Sequence, residues 1–283
     1  MALIKLDEIS KIFGFGDATS LALDSVSLKI EKGEFVAVMG PSGSGKSTLM
    51  NIIGLLDKPT QGTYNLDNKS VARLKPNQAA KIRRDTIGFV FQSSNLLNRL
   101  NVLDNVSLPL AYKGVSARRR SKLASDILSR VGISDKEYFF PNQLSGGQLQ
   151  SAAIARALIN NPKLIIADEP TGNLDSAGSM LVMELLTEIH RSGNTIIFVT
   201  HNPELTRYAS RVVYMKDGAI VQDEITPYGE MAKIAKKLLN PSLSRTDEDN
   251  FAGVSILMHR INNDKNPLSR KRTKKKVIKK KLK

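Results

Sequence analysis

The chain has 283 residues, 41% of them hydrophobic and 24% charged, the balance of an ordinary soluble globular protein with enough length to bury a sizeable core. It contains no cysteine, which excludes disulfides, thiolate metal sites and cysteine nucleophiles. Its net charge of +15 invites a nucleic-acid or anionic-membrane reading, but eleven positive charges fall between Lys265 and Lys283, after the last acid, Asp264, and leave only +4 for everything before them.

The first eight residues carry acids and no apolar stretch, so they do not read as a secretory signal. No run approaches the roughly 18 uninterrupted apolar residues of a membrane-spanning helix, so any membrane role is expected to be peripheral. Segments 4–9 and 22–30 read as antiparallel β structure. The strings at 35–39, 87–91, 164–167 and 195–200 are continuously apolar, as in strands buried on both faces. Helical patterns follow at 46–55, 148–160 and 179–192. Strands alternating with helices predict an α/β fold with a mainly parallel sheet. Residues 93–145 read as helical, with Pro109 and Gly114 as breaks. Residues 231–239 present one apolar helix face. Residues 1–240 are thus expected to form the main domain. Residues 241–264 read as a linker with a short apolar segment, and 265–283 as a disordered Lys/Arg tail. There is no internal repeat.

Residues 40–47, Gly-Pro-Ser-Gly-Ser-Gly-Lys-Ser, fit the phosphate-loop pattern G-x-x-x-x-G-K-[ST] between a predicted strand and a predicted helix. Gly40, Gly43 and Gly45 would let backbone N–H groups converge on phosphate oxygens, with Ser42, Ser44 and Thr48 alongside. Lys46 would reach the β- and γ-phosphates and Ser47 would ligate Mg²⁺. The motif alone leaves kinase, GTPase, helicase and transporter open.

Residues 144–148, Leu-Ser-Gly-Gly-Gln, lead directly into a helix-compatible run. A hydroxyl and small residues at a helix N-terminus make a second anion cradle, although the same string also suits a plain turn. Residues 164–170, Leu-Ile-Ile-Ala-Asp-Glu-Pro, form an apolar strand ending in two acids. Asp168 suits the outer shell of Mg²⁺ beside a phosphate loop, and Glu169 suits a general base that activates water. Two solvated acids at a strand end are the alternative.

These strings together resemble the ABC ATPases from about residue 3 to about 225, with six motifs in family order. The resemblance implies a P-loop NTPase core, an N-terminal antiparallel β subdomain and a helical subdomain at about 93–158 that carries the signature. It implies that Ser145, Gly146, Gly147 and Gln148 bind ATP held by the opposite subunit, and that Asp175 of the Thr-Gly-Asn-Leu-Asp string communicates across a dimer. By the same resemblance His201 contacts the γ-phosphate and the water, Gln92 touches Mg²⁺ and the water, and Phe13 stacks on adenine. Phe15 is the rival for that last role, and either ring could instead belong to the core. His190 and His259 match no family position and read as structural.

The nearest likeness is to the macrolide-exporter and lipoprotein-release group, through the strings at 49–62, 88–97 and 105–110. It implies an ATPase with ATP and Mg²⁺ as cofactors. Its partners would be a second copy or a close paralogue and a separate transmembrane permease, and its place the cytoplasmic inner face of the membrane. One departure is local: Leu149-Gln150-Ser151 stands where the family continues Gln-Gln-Arg, which removes a positive charge beside the signature helix and bears on dimer closure. The alternative function is a soluble ABC ATPase acting on ribosomes or nucleic acid through the basic tail. The missing repeat and the short distance from phosphate loop to signature argue against it. The tail itself reads as an anionic-lipid contact, a nucleic-acid contact or a solvated end.

Overall fold

The computed structural model describes residues 2–14 and 19–230. The expectations for Phe15, for His259, for the helix at 231–239, for the linker and for the basic tail lie outside the described residues.

In chain order the elements are β1 (Ala2–Phe13), β2 (Ser20–Glu31), β3 (Phe35–Met39), α1 (Lys46–Ile53), β4 (Gln61–Leu66), β5 (Lys69–Ser70), α2 (Pro76–Thr86) and β6 (Ile87–Val90). Then follow α3 (Val102–Ala111), α4 (Ala117–Arg130), α5 (Gly146–Leu158), β7 (Leu164–Asp168), α6 (Ser176–Arg191), β8 (Thr195–Val199), β9 (Arg211–Lys216) and β10 (Ala219–Ile225). They form an antiparallel sheet, β2-β1-β4-β5, and a second sheet in the order β10-β9-β3-β8-β7-β6. In the second sheet only the β9–β10 pair is antiparallel.

The parallel sheet is buried on both faces because its strands carry apolar residues without a polar alternate. Phe35, Ala37 and Met39 of β3 face one core with Ile196 and Phe198 of β8 and with helices α3 to α6. Val36 and Val38, one residue out of phase, face the other core with Ile197, Val199, α1 and the antiparallel sheet. This is the period-2 rule applied to a strand with a core on each side. Each fully buried large side chain of this kind contributes about 1.5–3 kcal/mol. In β2 the alternation is offset between Leu23 and Val26, where Ser25 takes a positive φ of 48° and donates its N–H to Ser10 Oγ at 3.0 Å. That bulge returns Val26, Leu28 and Ile30 to the core.

Three helix ends are set by side-chain caps. Asn101 accepts from the N–H of Asp104, Ser145 from that of Gln148, and Asp175 from that of Gly178. Pro109 does not break the helix as its sequence context suggests; it lies inside α3. Only two helical residues follow it, so one missing backbone bond is the cost, and burial of Val106 and Leu110 outweighs that. Gly114, with φ +75°, does end the segment.

A surface cluster ties the two sheets together. The ammonium groups of Lys163, just before β7, and Lys32, just after β2, both contact Asp67 after β4. Lys163 first, and then Lys32, hold the Asp67 carboxyl down at about 2. The unfolded carboxyl titrates near ~3.9. Because the folded value lies below the unfolded one, this stabilisation is present above about pH 4 and is lost as pH falls towards 2. Both lysines are about half exposed, at 46% and 55%, so the contribution is screened to about 1 kcal/mol. Asp67→Asn is expected to cost about 1 kcal/mol at pH 7 and nothing near pH 2, which urea unfolding across that range would check.

Candidate active site

The carboxyl ends of β3, β8 and β7 lie side by side, with Val38 opposite Val199 and Asp168 opposite Val199 on the other edge. In open α/β sheets this edge is where ligands bind. The loop between β3 and α1 turns tightly there. Gly40, Gly43 and Gly45 all have positive φ, at 153°, 79° and 94°. A Cβ on Gly40 would stand 2.1 Å from Met215 O, and one on Gly45 2.6 Å from Ala22 O. The loop is therefore pressed against β9 on one side and β2 on the other, and only glycine fits.

The ammonium of Lys46 is buried and donates to Gly40 O at 2.9 Å, Pro41 O at 2.7 Å and Ser44 Oγ at 3.3 Å. Its charge is thereby held inside the curve of the loop. Ser44 is buried, whereas Ser42, Gly43 and Ser47 face solvent and Thr48 is half-buried. No side chain caps α1 and no acid lies in its first turn, so its leading N–H groups are left for an anion.

Asp168 ends β7 and Glu169 follows with a positive φ of 44°, a backbone state that costs about 1–3 kcal/mol for a non-glycine residue. The Glu169 N–H donates to Val199 O at 3.1 Å, and its carboxylate meets His201 Nδ1 at 3.2 Å. His201 is 70% exposed and Glu169 27%. Burial, and then the neighbouring Glu169 charge, push the Asp168 carboxyl up, while Lys46 pulls it back. Two adjoining, half-buried carboxylates beside one ammonium make a place suited to a divalent cation.

Among the described residues no group of three or more His, Cys, Asp or Glu is gathered to hold a metal. A cation here would draw on Asp168, the Ser47 hydroxyl and the Gln92 amide, with the rest of its shell from water and phosphate oxygens. Such a donor set suits Mg²⁺, which keeps waters and takes few protein carboxylates.

Gln92 follows β6 and is exposed. Its Nε2 donates to Asn173 Oδ1 at 3.3 Å, and Asn173 Nδ2 donates back to Gln92 O at 3.4 Å. The sequence gives Asn173 no special role, because its partner is 81 residues away. Phe13 ends β1, is 45% exposed and carries the Lys11 ammonium 4.8 Å from its ring centre. It lies beyond Ile12 on the strand paired to β2, whose Ala22 touches the phosphate loop. His190 is packed on Phe35 and bonded to Gly33 O, a structural position.

The Ser145–Gln148 turn forms a separate group. Ser145 Oγ accepts from Gln148 N at 3.3 Å and Gln148 Oε1 accepts from Ser145 N at 2.9 Å, a reciprocal cap on α5. Ser145 and Gly146 are exposed. A Cβ on Gly146 would stand 2.9 Å from Leu174 Cδ2, so the turn packs on the segment that ends in Asp175. Asp175 caps α6 by accepting from Gly178 N at 2.8 Å. A cleft of about 530 Å³ runs between them, and no phosphate-loop residue lines it. The structure thus brings Lys46, Asp168, Glu169 and His201 to one edge and Ser145, Gly146, Gly147 and Asp175 to another surface.

Fold and site together define a phosphate-loop ATPase. The family model described as ABC transporter matches residues 23–172. The chain is 48% identical over 222 residues to an uncharacterized ABC transporter ATP-binding protein, YvrO, of Bacillus subtilis, covering 78% of this chain and 97% of that one. It is 49% identical over 224 residues to the macrolide export ATP-binding/permease protein MacB of Chlorobaculum tepidum, covering 78% of this chain but 34% of that longer one. Among solved structures, the dimeric post-hydrolysis state of the ATP-binding cassette MJ0796, bound to ADP and Pi, superposes with a TM-score of 0.73 at 45% identity, over 78% of this chain and 98% of that one. The chain belongs to the ABC transporter family, as an ATP-binding and ATP-hydrolysing subunit.

Gly45→Ala is expected to cost at least about 2 kcal/mol, since it combines a clash with Ala22 O and a disfavoured φ. Thermal unfolding measures that loss, and ATP binding should fall with it.

Proposed function

We propose that two copies of this chain, or this chain and a close paralogue, close around two ATP·Mg²⁺ and drive a separate membrane permease of the exporter or mechanotransmission type from the cytoplasmic face. The observation that carries this reading is the separation of the Ser145–Gly147 turn from the chain's own phosphate loop. No phosphate-loop residue lines the cleft at that turn within one copy, and face-to-face pairing of two copies would complete two sites. The dimeric MJ0796 cassette, 98% of whose length is matched here, supports such pairing in a relative.

In the closed site Lys46 would leave the loop carbonyls and balance the β- and γ-phosphate charge. Asp168, Ser47 and Gln92 would hold Mg²⁺. Glu169 would take a proton from the attacking water as general base, and His201, 3.2 Å away, would fix the direction of that carboxylate and the water. ATP supplies the terminal phosphoanhydride bond that is broken. From the opposite subunit the Ser145 hydroxyl and the amides of Gly146 and Gly147 would reach the γ-phosphate, with Gln148 holding the turn and Asp175 beside it. Phe13 would stack on the adenine.

No described helix is long and apolar enough to cross a membrane, and under this reading the permease would dock on this chain's surface. A groove of about 1100 Å³ suits that docking. It is lined by Phe89 and Phe91 at the Gln92 loop, by Pro109 of α3 and Tyr112 just after it, and by Arg83 and Arg84 of α2. A segment seated there would press directly on the loop that carries Gln92. The MacB relatives, named for macrolide export, carry ATPase and permease on one chain, which supports the exporter side of the reading.

Glu169→Gln keeps the shape and removes the base. Turnover is expected to fall at least about a hundredfold while ATP still binds and a stable dimer accumulates, seen by size-exclusion chromatography with nucleotide and magnesium. Native turnover in that variant would remove Glu169 from the role.

A further inference from the structure

The loop that carries Gln92 is anchored to one helix, and that helix begins with the signature turn. Gln150 of α5 is 2% exposed, and its Nε2 donates to Phe91 O at 3.1 Å. Arg156, further along the same helix, donates from its two terminal nitrogens to Ser94 O and Asn95 O, each at 2.6 Å. The two contacts are six residues apart, about 9 Å of helix, and bracket Gln92 on both sides.

The anchored backbone is not a relaxed one. Ser94 and Asn95 both sit in the left-handed region, with φ of 52° and 49°, and neither is glycine. Two successive residues in that state persist only where the surroundings hold them. Arg156 does the holding. Its guanidinium is a rigid planar fork that meets the two carbonyls with two separate nitrogens at the end of a longer side chain; an ammonium, which at Lys46 also reaches two consecutive carbonyls, does so from a single nitrogen on a shorter stem. Burial pushes its pKa down, and no carboxylate pairs with it among the described residues. A half-buried cation spent on two neutral carbonyls, with no carboxylate beside it, carries a desolvation cost that the loop's shape has to justify.

We infer that Arg156 and Gln150 are positioning residues for ATP hydrolysis: they fix the loop so that Gln92 points at the site, and they make that loop travel with the signature helix. This rests on the reading of Gln92 as a residue of the hydrolytic site. The Gln92 side chain is already met by Asn173 from the segment that also packs on the signature turn. Arg156 and Gln150 therefore act on Gln92 through its backbone, without touching nucleotide.

The test is a double-mutant cycle in the full chain, with kcat, KM, equilibrium ATP binding and amide exchange measured for each member. Arg156→Gln is expected to lower kcat by about ten- to a hundredfold through misplacement of Gln92, with ATP affinity changed less than about twofold. Amide exchange should quicken at residues 92–97 and not in β8 or α6. In a Gln92→Ala background the same substitution should add less than about twofold, because the two act as a unit. Arg156→Lys should fail to restore kcat fully. If Arg156→Gln does not fold, Gln150→Leu removes only the Phe91 bond and runs the same cycle. The proposal is overturned if kcat is unchanged, if the losses in Gln92→Ala and Arg156→Gln multiply, or if exchange quickens throughout the chain. Failure of the underlying reading looks different: Gln92→Ala alone then leaves kcat at the native value.

Discussion

The site hangs from β3. This five-residue strand is buried on both faces and hydrogen-bonded on both edges, to β8 and to β9. A strand so enclosed has no freedom to shift register, because a one-residue slip would move Phe35, Ala37 and Met39 out of one core and Val36 and Val38 out of the other. Its last residue fixes where the phosphate loop begins. The loop is then confined by backbone on two sides, Met215 O and Ala22 O, so its conformation is set by packing before any ligand arrives. Pre-formed amides at the start of α1 are what an anion meets; the backbone is already in place, and the Lys46 side chain is the part that has to leave its loop partners.

The same sheet sets the charges. β7 and β8 run parallel to β3 and end level with it, so Asp168 and Glu169 arrive beside Lys46. The arrangement is unbalanced on its own. Asp168 is desolvated and repelled by Glu169, and Glu169 is held in a strained backbone against His201. A metal–phosphate pair bound there, as proposed, would offset that imbalance. The Ser145 turn, by contrast, is satisfied within its own capping box and open to solvent, so it can wait for a ligand brought by another copy.

How much of this could be read in the sequence followed from how local each signal is. β3, β7 and β8 were legible because nothing polar interrupts them, and the catalytic edge followed, since strand ends and motif ends coincide. The glycines of the loop were legible through chemistry, because backbone must approach both phosphate and neighbouring strands. Helix α2 was not legible: it contributes no buried residue, and its polar run Pro-Asn-Gln-Ala-Ala-Lys has no apolar period. Pro109 misled because its local preference is overridden by packing on both sides of it. Asn173 and the partners of Arg156 were invisible for a different reason. Their contacts join residues 61 to 81 positions apart in chain order, and no spacing rule reaches that far.

The departure from the family pattern at residues 149–151 gains a physical meaning from where those side chains lie. Ser151 is 1% exposed, and it borders the cleft between the signature turn, Asp175 and the end of α4. A long cation at that position would fill the cleft and bring a charge to the surface where a second subunit is expected. The serine does neither. The small side chains along α5 instead let its backbone sit close to β6, where a Cβ on Gly88 would stand 2.5 Å from Ala157 O. The helix is thus seated by shape and by the Gln150 and Arg156 bonds, with no charge from position 151. Under the proposed pairing, position 151 would thus bring no charge to the dimer surface, and the turn at Ser145, Gly146 and Gly147 would be the part of this surface left to meet the nucleotide.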